Sequence, residues 1–132
     1  PSFVKISKCS GNICIICCTK ADNLQKKSIA KLYSINGRFI NMNEFGFVFT
    51  NIVPVHNSNC FDFFFCTSNN IIYLVDGFTL QILEIVYQSK DEIKAVDYDQ
   101  ESEILAIGYS REGFTTIFYS IDNHTIPNHS ES

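Results

Sequence analysis

A short pattern recurs along this chain at near-regular intervals, and it restricts the fold more than any other feature. Leu32-Tyr33-Ser34-Ile35-Asn36 returns as Phe118-Tyr119-Ser120-Ile121-Asp122, and Ile72-Tyr73-Leu74-Val75-Asp76-Gly77 fills the same slot between them. With Tyr33, Val75 and Tyr119 taken as equivalent, the copies stand 42 and then 44 residues apart. Self-similarity at a fixed spacing of this size marks a repeat architecture, in which each copy is one supersecondary unit that stacks on its neighbours. Copies one and three also align in their first halves, Ile6 with Val96 and Ile13 to Ile16 with Ile104 to Ile107.

Each copy reads as strands. Alternating or continuous apolar runs, rich in β-branched and aromatic residues and bounded by Gly, Asn, Asp and Ser, predict strands over 2–7, 13–19, 29–35 and 38–45. The pattern repeats over 49–55, 61–66, 70–76 and 80–87, and a third time over 93–98, 104–109 and 114–121. Asn36-Gly37 supplies residues that tolerate positive φ, which suits a two-residue hairpin turn. Residues 20–27 are polar without a period and read as an exposed loop. The phenylalanines of Phe61-Asp62-Phe63-Phe64-Phe65 could form an aromatic recognition surface, but burial between layers is the better use of so much apolar area.

Short strands with frequent turns also suit a sandwich or barrel. A four-strand unit repeating about every 42 to 45 residues, however, is the spacing of a propeller blade. The expected fold is therefore all-β: a partial β-propeller of about three four-stranded blades, over 1–45, 46–88 and 89–122, with the last lacking its fourth strand. Residues 123–132 are polar, contain Pro127 and read as a C-terminal tail. Propellers close by completing the last blade from the chain's other end, so the reading is of a fragment whose unpaired edge along residues 114–121 should be sticky.

Composition narrows the functions. Ten basic against 14 acidic residues leave a net charge of −4 and no basic stripe to neutralise phosphates, which argues against nucleic acid as a partner. No run approaches the roughly 18 to 20 apolar residues of a membrane span. Four of the six cysteines crowd into residues 9–18, three of them inside an apolar run, where free cysteine packs as a small hydrophobe. That usage fits a reduced, cytoplasmic protein better than a disulfide framework.

Val4-Lys5-Ile6-Ser7, Ser10-Gly11-Asn12-Ile13 and Leu32-Tyr33-Ser34-Ile35-Asn36-Gly37-Arg38-Phe39-Ile40 together resemble the C-terminal WD-repeat region of BEACH-domain proteins. The specific part of the resemblance covers residues 2–40, and the rest is similar to degenerate WD repeats. The chain has no tryptophan, so the Trp-Asp position reads Val75-Asp76, Tyr33-Ser34 and Tyr119-Ser120. The resemblance implies a non-catalytic protein-interaction platform in a vesicle-trafficking scaffold, cytoplasmic or peripheral to vesicle or endolysosomal membranes. Its partners would be proteins, the remainder of its own ring and a BEACH domain, with membrane association only indirect. A WD-repeat adaptor of another cytoplasmic complex is the alternative.

Candidate chemistry is sparse. Cys14 and Cys17 have a C-x-x-C spacing, but in a strand they point to opposite faces and no second pair completes a zinc site. Asp97, Asp99, Glu101 and Glu103 lack the glycine of a calcium loop and read as a solvated turn. His56, His124 and His129 stand apart with no nucleophile motif beside them. Asn123-His124-Thr125 and Asn128-His129-Ser130 match the glycosylation pattern, which matters only in a secreted protein. No catalytic residue, cofactor or metal is expected. Partner contacts are expected in exposed inter-strand turns, at Arg38, Glu44, His56, Lys90, Asp91 and Arg111.

Overall fold

A computed structural model describes residues 2–19 and 24–123. Within them the chain forms eleven strands in three antiparallel sheets, with no α-helix. Sheet 1 comprises β1 (Phe3–Ile6), β2 (Ile13–Cys18), β3 (Ser28–Tyr33) and β4 (Phe39–Phe45). Sheet 2 comprises β5 (Asn51–His56), β6 (Asp62–Ser68), β7 (Ile71–Asp76) and β8 (Ile82–Gln88). Sheet 3 comprises β9 (Ile93–Asp99), β10 (Ile104–Tyr109) and β11 (Phe114–Phe118). Every strand pairs with the next in sequence, so each sheet is a simple meander. All eleven expected strands are present.

The sheets stack face to face with β1, β5 and β9 adjacent, and each of these runs in the same direction. Sheet 2 lies in the middle, which explains its unbroken apolar strands. On β6, Phe64 and Cys66 join Cys14, Ile16, Ala30 and Leu32 of sheet 1 in one core. Phe63 and Phe65 point the other way and join Leu105 and Ile107 of sheet 3 in a second. A strand that packs on both faces carries no hydrophobic alternation, because both sets of side chains leave water. Each fully buried phenylalanine contributes roughly 1.5–3 kcal/mol in transfer terms.

Three details differ from the sequence expectation. The β3–β4 connection is closed by Ser34 N–H to Arg38 O at 2.8 Å and Gly37 N–H to Ser34 O at 2.9 Å, with only Gly37 at positive φ. It is thus a three-residue loop ending in a left-handed glycine, the geometry of a type I turn with a bulge, and Asn36 is not left-handed. Strand β11 stops at Phe118 rather than reaching residue 121. The chain then turns through a short 3-10 helix, Ile121–Asn123, which drops Ile121 into the second core.

The third difference concerns register between copies. Cys14 and Leu105 align in sequence, yet Cys14 faces forward onto sheet 2 and Leu105 faces back onto it. In three sheets stacked with one orientation these are opposite faces, so that match is displaced by one residue; a slip of one position inverts every side chain in a strand. The repeat from which the period came does preserve direction. Leu32 faces forward onto sheet 2, Leu74 forward onto sheet 3, and Phe118 forward from sheet 3.

Candidate interaction surfaces

At one end of the stack the β1–β2, β3–β4, β5–β6, β7–β8 and β9–β10 connections gather, and polar side chains lock them together. Asp62, the first residue of β6, accepts Cys9 N–H at 2.8 Å and Ser10 N–H at 3.1 Å through its two carboxylate oxygens. Its carbonyl accepts Gly77 N–H at 2.8 Å. One residue thereby joins the first turn of sheet 1 to the β5–β6 and β7–β8 turns of sheet 2. Gly77 permits this approach, because a Cβ there would lie 2.6 Å from the Asp62 carbonyl oxygen.

The β7–β8 turn is held from two further sides. Asp76 is buried, and its Oδ1 accepts Phe78 N–H at 2.8 Å and Thr79 N–H at 2.9 Å, while its Oδ2 has no partner. From sheet 1, Asn43 Nδ2 donates to Leu80 O at 2.8 Å and Asn41 Nδ2 to Phe78 O at 3.1 Å. Similarly, Asn57 Oδ1 accepts Asn59 and Phe61 N–H, each at 3.0 Å, which shapes the β5–β6 turn. Ser58 N–H on that turn donates to Asp122 at 2.6 Å, which docks the 3-10 turn of sheet 3. Between the first two sheets these turns leave a cavity of about 250 Å³, lined by Ser10, Cys60, Phe61, Asp62 and Phe78 among others.

Cys9 and Cys60 meet at this same corner. Cys60 occupies the β5–β6 turn at φ 60° and is exposed, while Cys9 is half-buried. Burial, the adjoining Cys60 thiol and the Asp62 carboxylate push the Cys9 thiol up to about 11. Elsewhere Cys14 is buried and pushed up to about 12 by desolvation, and Cys66 is pushed well above the ordinary thiol value. Cys17, on the opposite face from Cys14, is exposed.

The six expected contact residues divide between the ends of the stack. Arg38, exposed in the β3–β4 turn, and His56, half-buried at the end of β5, share the end just described. His56 Nδ1 lies 2.9 Å from Asn57 O, and the His56 backbone N–H donates to Gln100 Oε1 at 3.3 Å. Lys90, Asp91 and Arg111 are exposed in the β8–β9 and β10–β11 connections at the opposite end. Glu44 is in strand β4 rather than a turn, and pairs with Lys27 at 3.6 Å. In the acidic turn, Asp99 accepts Ser102 N–H at 3.1 Å and Ser102 O–H at 2.5 Å, bonds that lower its carboxyl. His124, His129 and Asn128 lie outside the described residues, as do residues 20–23 of the expected loop.

Sequence reasoning did not single out the exposed apolar side chains on the two outer faces of the stack. On sheet 1, Val4 is 58% and Ile6 62% exposed, beside Phe39 and Met42 on the same face. On sheet 3, Phe118 is 67% and Phe114 77% exposed, whereas Leu32 and Leu74, which occupy the same place in their own sheets as Phe118, are fully buried. Tyrosines tie sheets 2 and 3: Tyr87 and Tyr109 hydroxyls lie 2.6 Å apart and Tyr119 donates to Glu84, while Tyr98 donates to Tyr119 O at 2.7 Å within sheet 3. Burial, with Glu103 nearby, pushes the Tyr98 phenol up to about 12.

No helix among the described residues is long and apolar enough to cross a membrane. Searched against protein-family models, curated proteins and solved structures, the chain matches none.

Proposed function

We propose that these three sheets are consecutive blades of a WD-repeat-type β-propeller that serves as a non-catalytic protein-interaction platform. The observation that carries this reading is the contrast at one repeated position. Leu32 and Leu74 are sealed by the sheet in front of them, and their counterpart Phe118 stands 67% exposed on a face with the same apolar character. Val4 and Ile6 leave the rear face of sheet 1 in the same condition. Contiguous apolar surface of this kind marks an interaction site. In this reading further blades of the same ring cover both faces, and the turn clusters at the two ends are left to bind protein partners.

The resemblance of residues 2–40 to the WD-repeat region of BEACH-domain proteins supplies the biological setting: a scaffold of vesicle traffic, cytoplasmic or peripheral to vesicle or endolysosomal membranes. Sequencing the complete transcript tests it. A BEACH domain together with further four-strand repeats is the expected result. Further repeats without a BEACH domain assign the chain to a WD-repeat adaptor of another complex, and a transcript with neither overturns the reading.

A further inference from the structure

We propose that Cys9 and Cys60 form a redox latch, an oxidisable dithiol that closes to a disulfide and staples sheet 1 to sheet 2. The two residues belong to different sheets, in the β1–β2 and β5–β6 turns, and Asp62 joins those turns. Cys9 is fixed by its own N–H on Asp62 Oδ1 at 2.8 Å, with Ser10 N–H on the other oxygen. Cys60 is two residues before Asp62, in a turn fixed by Cys60 N–H to Asn57 O at 3.1 Å and by two amide bonds to Asn57 Oδ1. The backbone on each side of the pair is thus anchored, and the bond from Cys9 N–H to Asp62 sets Cys9 across the junction from the turn that carries Cys60.

The chemistry divides the roles. Cys60 is exposed and lines the open cavity, so it meets a dissolved oxidant first. Hydrogen peroxide transfers one oxygen to the Cys60 thiolate, giving a sulfenic acid and releasing the second oxygen as hydroxide, which is protonated to water. The Cys9 sulfur then attacks the Cys60 sulfur; the S–S bond forms, the S–O bond breaks, and the Cys9 proton leaves with that oxygen as a second water. In sum two thiols lose two hydrogens and one peroxide becomes two waters. The raised thiol of Cys9 makes it a poor first target and a resolving partner, because thiolate character governs the first step.

The latch is independent of what completes the ring, and its test reads only this corner. The native protein is treated with peroxide, free thiols are capped with N-ethylmaleimide, and the non-reduced digest is examined by mass spectrometry. A peptide pair joined through Cys9 and Cys60 is expected, reversed by dithiothreitol, with Cys14 and Cys66 still as free thiols. Oxidation should raise the urea midpoint of the wild type by more than about 0.5 M, since a cross-link closing a long loop restricts the unfolded chain. Cys60→Ser and Cys9→Ser should each abolish that rise; Cys60 is exposed, so its variant retains the fold. Accumulation of Cys60 sulfinic acid without the cross-link, pairing of Cys60 with Cys17 or with a second chain, or an undiminished midpoint shift in Cys60→Ser would each overturn the latch.

Discussion

Gly77→Ala gives the sharpest test of how the sheets are locked at the turn-bearing end. The added Cβ would lie 2.6 Å from the Asp62 carbonyl oxygen and 2.7 Å from its carbon, against 3.4 Å where ordinary contact begins. Backbone must therefore retreat by the difference, about 0.8 Å, and this lengthens the Gly77 N–H to Asp62 O bond from 2.8 Å to roughly 3.6 Å, beyond hydrogen-bond range. Overpacking costs about 1–3 kcal/mol and the lost bond about 1 kcal/mol more. Reduced freedom of the unfolded chain returns about 0.4–1 kcal/mol. The net loss is about 1–3.6 kcal/mol, which at a slope of about 1.5–2 kcal/mol per molar lowers the urea midpoint by about 0.5–2.4 M. Unfolding is followed by tyrosine fluorescence at one matched protein concentration, because association adds concentration-dependent stability. Gly46→Ala is the control: nothing lies within 4 Å of its Cβ and its φ is not positive, so its midpoint should hold or rise slightly. Equal midpoints for the two variants would refute the close approach and the Asp62 clamp with it.

Other consequences are measurable on the same protein. Phe64→Ala and Phe65→Ala should each cost about 3–5 kcal/mol in urea unfolding, because the two rings fill different cores on opposite faces of sheet 2; a near-neutral result for either would mean that its face is not packed. Timed iodoacetamide labelling at neutral pH should modify Cys17 and Cys60 first, and Cys14 and Cys66 last, the latter two being buried with thiols pushed far above neutrality. The Tyr98 phenol is raised in the folded chain from 10.0 to about 12, so its contribution is complete below pH 10 and is lost as pH rises through about 12. The melting temperature should accordingly fall across that window in the wild type, and less steeply in Tyr98→Phe.

Much of this architecture is legible in the sequence, because strand length, turn residues and the repeat are local properties. Asn, Gly, Asp and Ser mark the turns, and all eleven strands follow. Face assignment is less accessible where strands are apolar throughout. Ile13-Cys14-Ile15-Ile16 and Ile104-Leu105-Ala106-Ile107 align well as strings, yet continuous apolar runs lack the alternation that identifies the inward side, and the alignment inverts one of them. The end of β11 was hidden for a related reason: Ile121 belongs to the repeated pattern but reaches the core from a 3-10 turn. Exposure of Arg38, Lys90, Asp91 and Arg111 follows from their turn composition. The meeting of Cys9, Cys60 and Asp62 depends on how two sheets are set against each other, which no local pattern encodes.

The central claim is that both outer faces of the three-sheet stack are covered by further blades of one ring, and electron cryomicroscopy of the full-length gene product tests it most directly. The account predicts a closed propeller in which sheets 1, 2 and 3 are adjacent blades, with one neighbouring sheet over Val4 and Ile6 and another over Phe114 and Phe118. A map in which those side chains face solvent, or in which the three sheets close into a sandwich or barrel of their own, would contradict it.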